Sequence, residues 1–177
     1  EIVIDLDPGA AFGTGAHATT AMCLRWLERL VCSRMRVCDV GCGSGILAIT
    51  ASKLGAGEVI AMDYDPVAVS VAEENIKQNH VTNVVALQSD LLAACQGMPP
   101  AELITANIIA DIIIRLFDQL DQYLAPGGVL LASGIIDDRI DDVERAAKEH
   151  GFTVLDMTCE KEWAAMIIRR TADLEKA

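Results

Sequence analysis

The ten residues Val37-Cys38-Asp39-Val40-Gly41-Cys42-Gly43-Ser44-Gly45-Ile46 constrain the fold of this chain more than any others. An apolar run ends in three alternating glycines, and a helix-forming apolar stretch begins at once. Such a junction reads as a strand turning tightly into a helix, with glycines allowing a ligand close approach to the main chain. The helix start presents free N–H groups to a carboxylate or phosphate. A tight turn without a ligand is the competing reading.

The same alternation runs through the rest of the chain. Apolar runs at 35–40, 58–62, 84–87, 103–106 and 129–133 read as strands, and stretches at 20–30, 46–54, 66–79, 109–123 and 137–150 read as helices. Asp65-Pro66 pairs a capping carboxylate with a proline at the first helical position. Ala68, Ala72 and Ile76 then form one apolar stripe. Pro126-Gly127-Gly128 predicts a turn into the fifth strand, and Gly151 sits where a helix ends. Strand–helix alternation implies parallel pairing with right-handed crossovers, hence an α/β fold with a doubly wound, mostly parallel sheet. Between 152–158 and 164–169 there is no room for a crossover helix, so these predict an antiparallel hairpin at one edge. No repeat or linker divides the chain, and residues 1–177 are expected to form a single domain.

The glycine spacing carries further information. In a dinucleotide fingerprint the third glycine follows two intervening residues, whereas here Ile46 occupies that position, which disfavours a pyrophosphate loop. Asp63 lies 22 positions after Gly41, at the end of the second strand, where an acid can accept two hydrogen bonds from a ribose diol. A solvated loop acid is the alternative. Asn107 ends the fourth strand and could orient an amine lone pair through its carbonyl, or cap the next helix.

Charge and cysteine usage narrow the function. With 14 Lys or Arg against 26 Asp or Glu, the formal charge is −12, which argues against nucleic-acid binding. No run of about 18 apolar residues exists, so no membrane span is expected. Cys23, Cys32, Cys38, Cys42, Cys95 and Cys159 form no Cys-x-x-Cys pair, and no His stands at metal-ligand spacing. Free thiols in a reducing cytoplasm fit that pattern, with no metal site. The first residues, Glu-Ile-Val-Ile-Asp, lack an initiator Met and a basic leader, and are expected to be the cut edge of a longer chain.

Asp39-x-Gly41-x-Gly43-x-Gly45 with the later Asp63 resembles the cofactor site of class I S-adenosylmethionine (AdoMet) methyltransferases. In that fold the terminal hairpin supplies an antiparallel seventh strand. The resemblance implies that Gly41, Gly43, Gly45 and Asp63 hold AdoMet, and that Asp90, in Ser89-Asp90, contacts the adenine amino group. An ordinary turn acid is the other reading of Asp90. The opening string from Leu6 through Asp7-Pro8-Gly9, Phe12-Gly13-Thr14-Gly15 and His17 to Thr19-Thr20, with Ala106 to Ala110, resembles the PrmA family. Those bacterial enzymes methylate amines of the eleventh protein of the large ribosomal subunit. The resemblance covers essentially the whole chain; Ala18 stands where a Pro is often found.

The resemblance implies that Thr20, Gly41, Asp63 and Asn107 bind AdoMet, and that residues 1–20 form a lid before the first strand. Phe12 is the expected wall of the pocket, and Asn107, Thr20, His17 and Thr19 the expected catalytic group guiding the amine. His17 reads equally as a capping or solvent residue. The implied reaction is in-line N-methylation of lysine or N-terminal amines, with an acidic surface steering a basic ribosomal protein. The acidic run Asp137, Asp138, Asp141, Asp142 and Glu144 reads better as a solvated helix face. A small-molecule amine methyltransferase and a non-catalytic AdoMet-binding module are the alternatives. The resemblance also implies a separate N-terminal substrate-recognition domain, which is expected to lie outside these residues.

Overall fold

The computed structural model describes residues 1–7 and 15–176. Phe12 and the rest of 8–14 lie outside the described residues.

Seven strands form one sheet: β1 (Arg36–Val40), β2 (Glu58–Asp63), β3 (Val84–Gln88), β4 (Ala101–Asn107), β5 (Leu124–Ile136), β6 (Phe152–Glu160) and β7 (Trp163–Arg170). Their order is β3-β2-β1-β4-β5-β7-β6. β1 to β5 pair in parallel, and β7 runs antiparallel between β5 and β6. The expected hairpin therefore stands at one edge, with its second strand innermost.

Period-2 alternation decides which face each side chain covers. Val37, Val59, Leu103 and Leu131 point to α1 (Ala18–Leu30), α2 (Ile46–Lys53) and α3 (Pro66–Gln78). Cys38, Ile60, Ile104 and Leu130 point to α4 (Ala110–Tyr123) and α5 (Ile140–Glu149). Buried on both faces, the strands need the near-continuous apolar runs by which the sequence announces them.

Local chemistry sets the helix ends. Asp65 accepts from the Val67 amide at 2.8 Å with Pro66 at the first helical position. Gly151 follows α5 with φ +79°, and its N–H reaches the Lys148 carbonyl at 3.1 Å.

Two expectations change. Residues 137–150 do not form one helix: a 3-10 turn (Asp137–Arg139) precedes α5, and Arg139 leaves the run to pair with Asp111 and Asp142. Pro126-Gly127-Gly128 does not start β5, because Leu124 already pairs with Ala101. The ladder resumes at Leu103 and Val129, so residues 125–128 form an excursion within the strand. Among the described residues no helix is long and apolar enough to cross a membrane.

Candidate functional site

The strand order reverses between β1 and β4, and in an open α/β sheet the crevice beyond the carboxyl ends of such strands is where ligands bind. A cavity of ≈ 650 Å³ opens there, within the usual range for small-molecule sites of about 300–1,000 Å³.

Its floor is the glycine turn. Gly41, Gly43 and Gly45 have φ values of +69°, +52° and +83°, a region costly for other residues. A Cβ on Gly41 would collide with Ile108 Cγ2, so only glycine leaves the main chain open here. The Cys42 amide donates to the Met62 carbonyl of β2 at 2.8 Å, and the Gly43 amide to Asp63 Oδ2 at 3.0 Å. Asp63 Oδ1 accepts from the Asp65 amide at 3.0 Å. A carboxylate offers about four acceptor positions. Asp63 thus braces the turn and retains acceptor capacity toward the cavity it lines.

Thr20 and Asn107 also line the cavity. Thr20 is fully buried on α1, and Asn107 Nδ2 donates to its Oγ1 at 3.3 Å. The Asn107 side-chain oxygen takes no part in that bond. Neighbouring Ile108 donates its backbone N–H to the Ser133 carbonyl at 3.0 Å.

The other expected residues divide. Asp90 lines the cavity, where it is exposed and paired with Arg115 of α4 at 3.4 Å. His17 caps α1: its Nδ1 accepts from the Thr19 amide at 3.3 Å and lies 2.8 Å from Thr19 Oγ1. Its ring also meets Trp163 edge-on, with centroids 5.2 Å apart. His17 and Thr19 are not among the described residues lining the cavity, and neither is Gly45, which packs against Ala72 of α3.

One residue of the opening motif had no assigned role. Asp39 is buried on β1; its Oδ1 accepts from the Thr105 hydroxyl at 2.7 Å, while Oδ2 has no hydrogen-bond partner among the described residues. Burial pushes its carboxyl up to about 7, opposed by Thr105 and the Ala48 amide and reinforced by the charge on Asp63. Folded protein thus holds a proton that the unfolded chain releases near pH 3.8, so stability falls as pH rises from there to about 7. Denaturant titrations across that window should show the decline, and Asp39→Asn should flatten it. The signal for this pair was in the sequence: Thr105 is a polar break in the apolar run 103–106.

The model of the family described as "Ribosomal protein L11 methyltransferase (PrmA)" matches residues 1–171. A ribosomal protein L11 methyltransferase of Caldanaerobacter subterraneus subsp. tengcongensis is 53% identical over 170 residues, covering 96% of this chain and 54% of that protein. That of Heliobacterium modesticaldum is 49% identical over 171 residues, with the same coverage of each. The crystal structure of ribosomal protein L11 methylase from Lactobacillus delbrueckii subsp. bulgaricus superposes with a TM-score of 0.88 at 38% identity, covering 94% of this chain and 84% of that one. The chain spans about half the length of the curated relatives it matches. With the family model matched over nearly its whole length, the chain belongs to the ribosomal protein L11 methyltransferase (PrmA) family.

Proposed function

We propose that this chain is the AdoMet-binding catalytic part of an enzyme that N-methylates lysine or N-terminal amines of ribosomal protein L11. The observation that carries this is the pairing, in one cavity, of the Asp63-braced glycine turn with the Thr20–Asn107 contact.

The residues present fit the cofactor. Asp63 has acceptor positions for a ribose diol, Gly41 leaves its main chain open, and the unpartnered Asp39 Oδ2 suits a cationic ammonium group. Gly43 contributes turn geometry, and Asp90 with Arg115 borders the end of the cavity assigned to adenine. When bound, AdoMet supplies a methyl group activated on a sulfonium.

The chain's task is alignment, which can lower a barrier by several kcal/mol. Asn107, fixed through Thr20, presents its carbonyl oxygen to an amine N–H and so directs the nitrogen lone pair. The amine must be neutral to attack, and withdrawal from water at the cavity mouth favours that form. His17 and Thr19 act by holding the first turn of α1, and with it Thr20, in place. The lid expected over residues 1–20 falls in part on 8–14, which lie outside the described residues; substrate recognition is assigned to a separate N-terminal domain of the kind family members carry. The net charge of −12 favours encounter with a basic ribosomal protein, and a ribosomal substrate supports a cytoplasmic setting.

Incubation with methyl-labelled AdoMet tests this. Label is expected in purified ribosomal protein L11 and absent from a panel of small amines. Label in the amines alone would assign a small-molecule substrate, and binding of AdoMet with no transfer would leave a cofactor-binding module.

A further inference from the structure

Asn75 lies on α3, fully buried, with both ends of its side-chain amide engaged. Nδ2 donates to the carbonyl of Ser44, inside the glycine turn, at 2.8 Å. Oδ1 accepts from the backbone N–H of Asp7 at 3.0 Å, across 68 positions of sequence. One helical turn later, Asn79 accepts from the Asp5 amide at 3.0 Å and donates to the Asp5 carbonyl at 2.6 Å. Lys53 of α2 donates to the Val3 carbonyl at 2.6 Å and to Asn79 Oδ1 at 3.0 Å.

The spacing is a geometric match. Two residues of extended chain advance about 6.6 Å, and four residues of helix about 6 Å. Side-chain amides at 75 and 79 therefore meet the main chain at 7 and 5, as a neighbouring strand would. Ile4 and Leu6, between these anchor points, pack on the core beneath α1 to α3.

We propose that Asn75 is a positioning residue that latches segment 3–7 to the glycine turn, so that seating of that segment and AdoMet binding strengthen one another. The proposal rests on the AdoMet reading above. The latch needs a donor toward Ser44 and an acceptor toward Asp7, at one length, in a site closed to water. Asparagine supplies both; aspartate would set an acceptor against the Ser44 carbonyl. Ser44 is flanked by Gly43, whose amide Asp63 holds, and by Gly45, which packs on Ala72 one turn before Asn75. Asp7 precedes the residues that lead to Thr19 and Thr20. A displacement at either end thus reaches the other through one side chain, and the coupling is reciprocal.

The test combines calorimetry with AdoMet and hydrogen exchange of segment 3–7 in the full 177-residue chain. In the parent, AdoMet should slow that exchange by about fivefold or more. Asn75→Asp should weaken AdoMet binding by about tenfold and abolish the response. Asn79→Ala, which loosens the segment without touching Ser44, should speed exchange but keep the response. Asp7→Pro removes the N–H that Asn75 receives and should abolish the response with α3 intact, while Asp7→Ala, which keeps that N–H and lacks the carboxylate, should retain it; the pair decides the matter if Asn75→Asp fails to fold. A parent that binds no AdoMet overturns the functional reading and the latch together. A parent that binds AdoMet with unchanged exchange, or an Asn79→Ala chain that loses the response as Asn75→Asp does, overturns the latch alone.

Discussion

Asp63→Ala is expected to weaken AdoMet binding by about 100-fold, close to 2.8 kcal/mol, when measured by calorimetry. Two contributions add. The ribose diol loses a charged acceptor, and hydrogen bonds to charged groups are worth about 1.5–3 kcal/mol. The turn also loses its brace, because Asp63 Oδ2 receives the Gly43 amide and Oδ1 the Asp65 amide. Asp63→Asn separates the two effects: its one carbonyl oxygen can receive the Gly43 amide or the diol, but serves both poorly. An affinity within twofold of the parent for Asp63→Ala would remove Asp63 from the cofactor site.

Gly134→Ala is expected to lower the rate of methyl transfer by about 100-fold while AdoMet affinity stays within about threefold. Gly134 has φ +83° at a bulge in β5, where the ladder with β7 shifts between Ser133 and Ile135. A Cβ there would stand 2.5 Å from the Ile108 carbonyl oxygen and 3.0 Å from its carbonyl carbon and nitrogen. These are backbone atoms, so no rotamer change relieves the contact. Relief must displace the main chain immediately after Asn107, moving the side chain proposed to direct the amine, whereas the glycine turn meets Ile108 through its side chain at Gly41, where rotation can absorb the shift. Left-handed backbone adds about 1–2 kcal/mol of instability, which thermal melting would register. Equal losses in affinity and rate would contradict this division.

The features read from sequence were those whose chemistry is local. The glycine turn, the Asp65-Pro66 cap and the Gly151 helix end depend on neighbouring residues, and each forms where the pattern places it. Apolar runs located all seven strands, though β4 begins two residues earlier than its run, because Ala101 is buried while exposed Glu102 interrupts the pattern.

What sequence left out depends on distant partners. Asn75 and Asn79 drew no assignment from sequence, because the backbone outside α3 that they bind lies 31 to 74 residues away. Asp39 read as one letter of a motif until β4 brought Thr105 beside it. Gly134 falls just past the predicted run 129–133, and only the fold shows that it sits at a bulge within β5 with Ile108 pressing on it. His17 had two readings, and its neighbours give it the cap of α1.

The placing of β7 bears on how the chain acquires its shape. It follows the other six strands in sequence, yet among the described residues it alone bridges β5 on one side and β6 on the other. During synthesis, β5 must wait for residues 163–170 with an open, apolar edge that includes Leu130 and Leu131, and β6 waits with no partner at all. That interval is when two nascent copies are most able to pair wrongly. Its length is set by how soon Trp163 to Arg170 leave the exit tunnel.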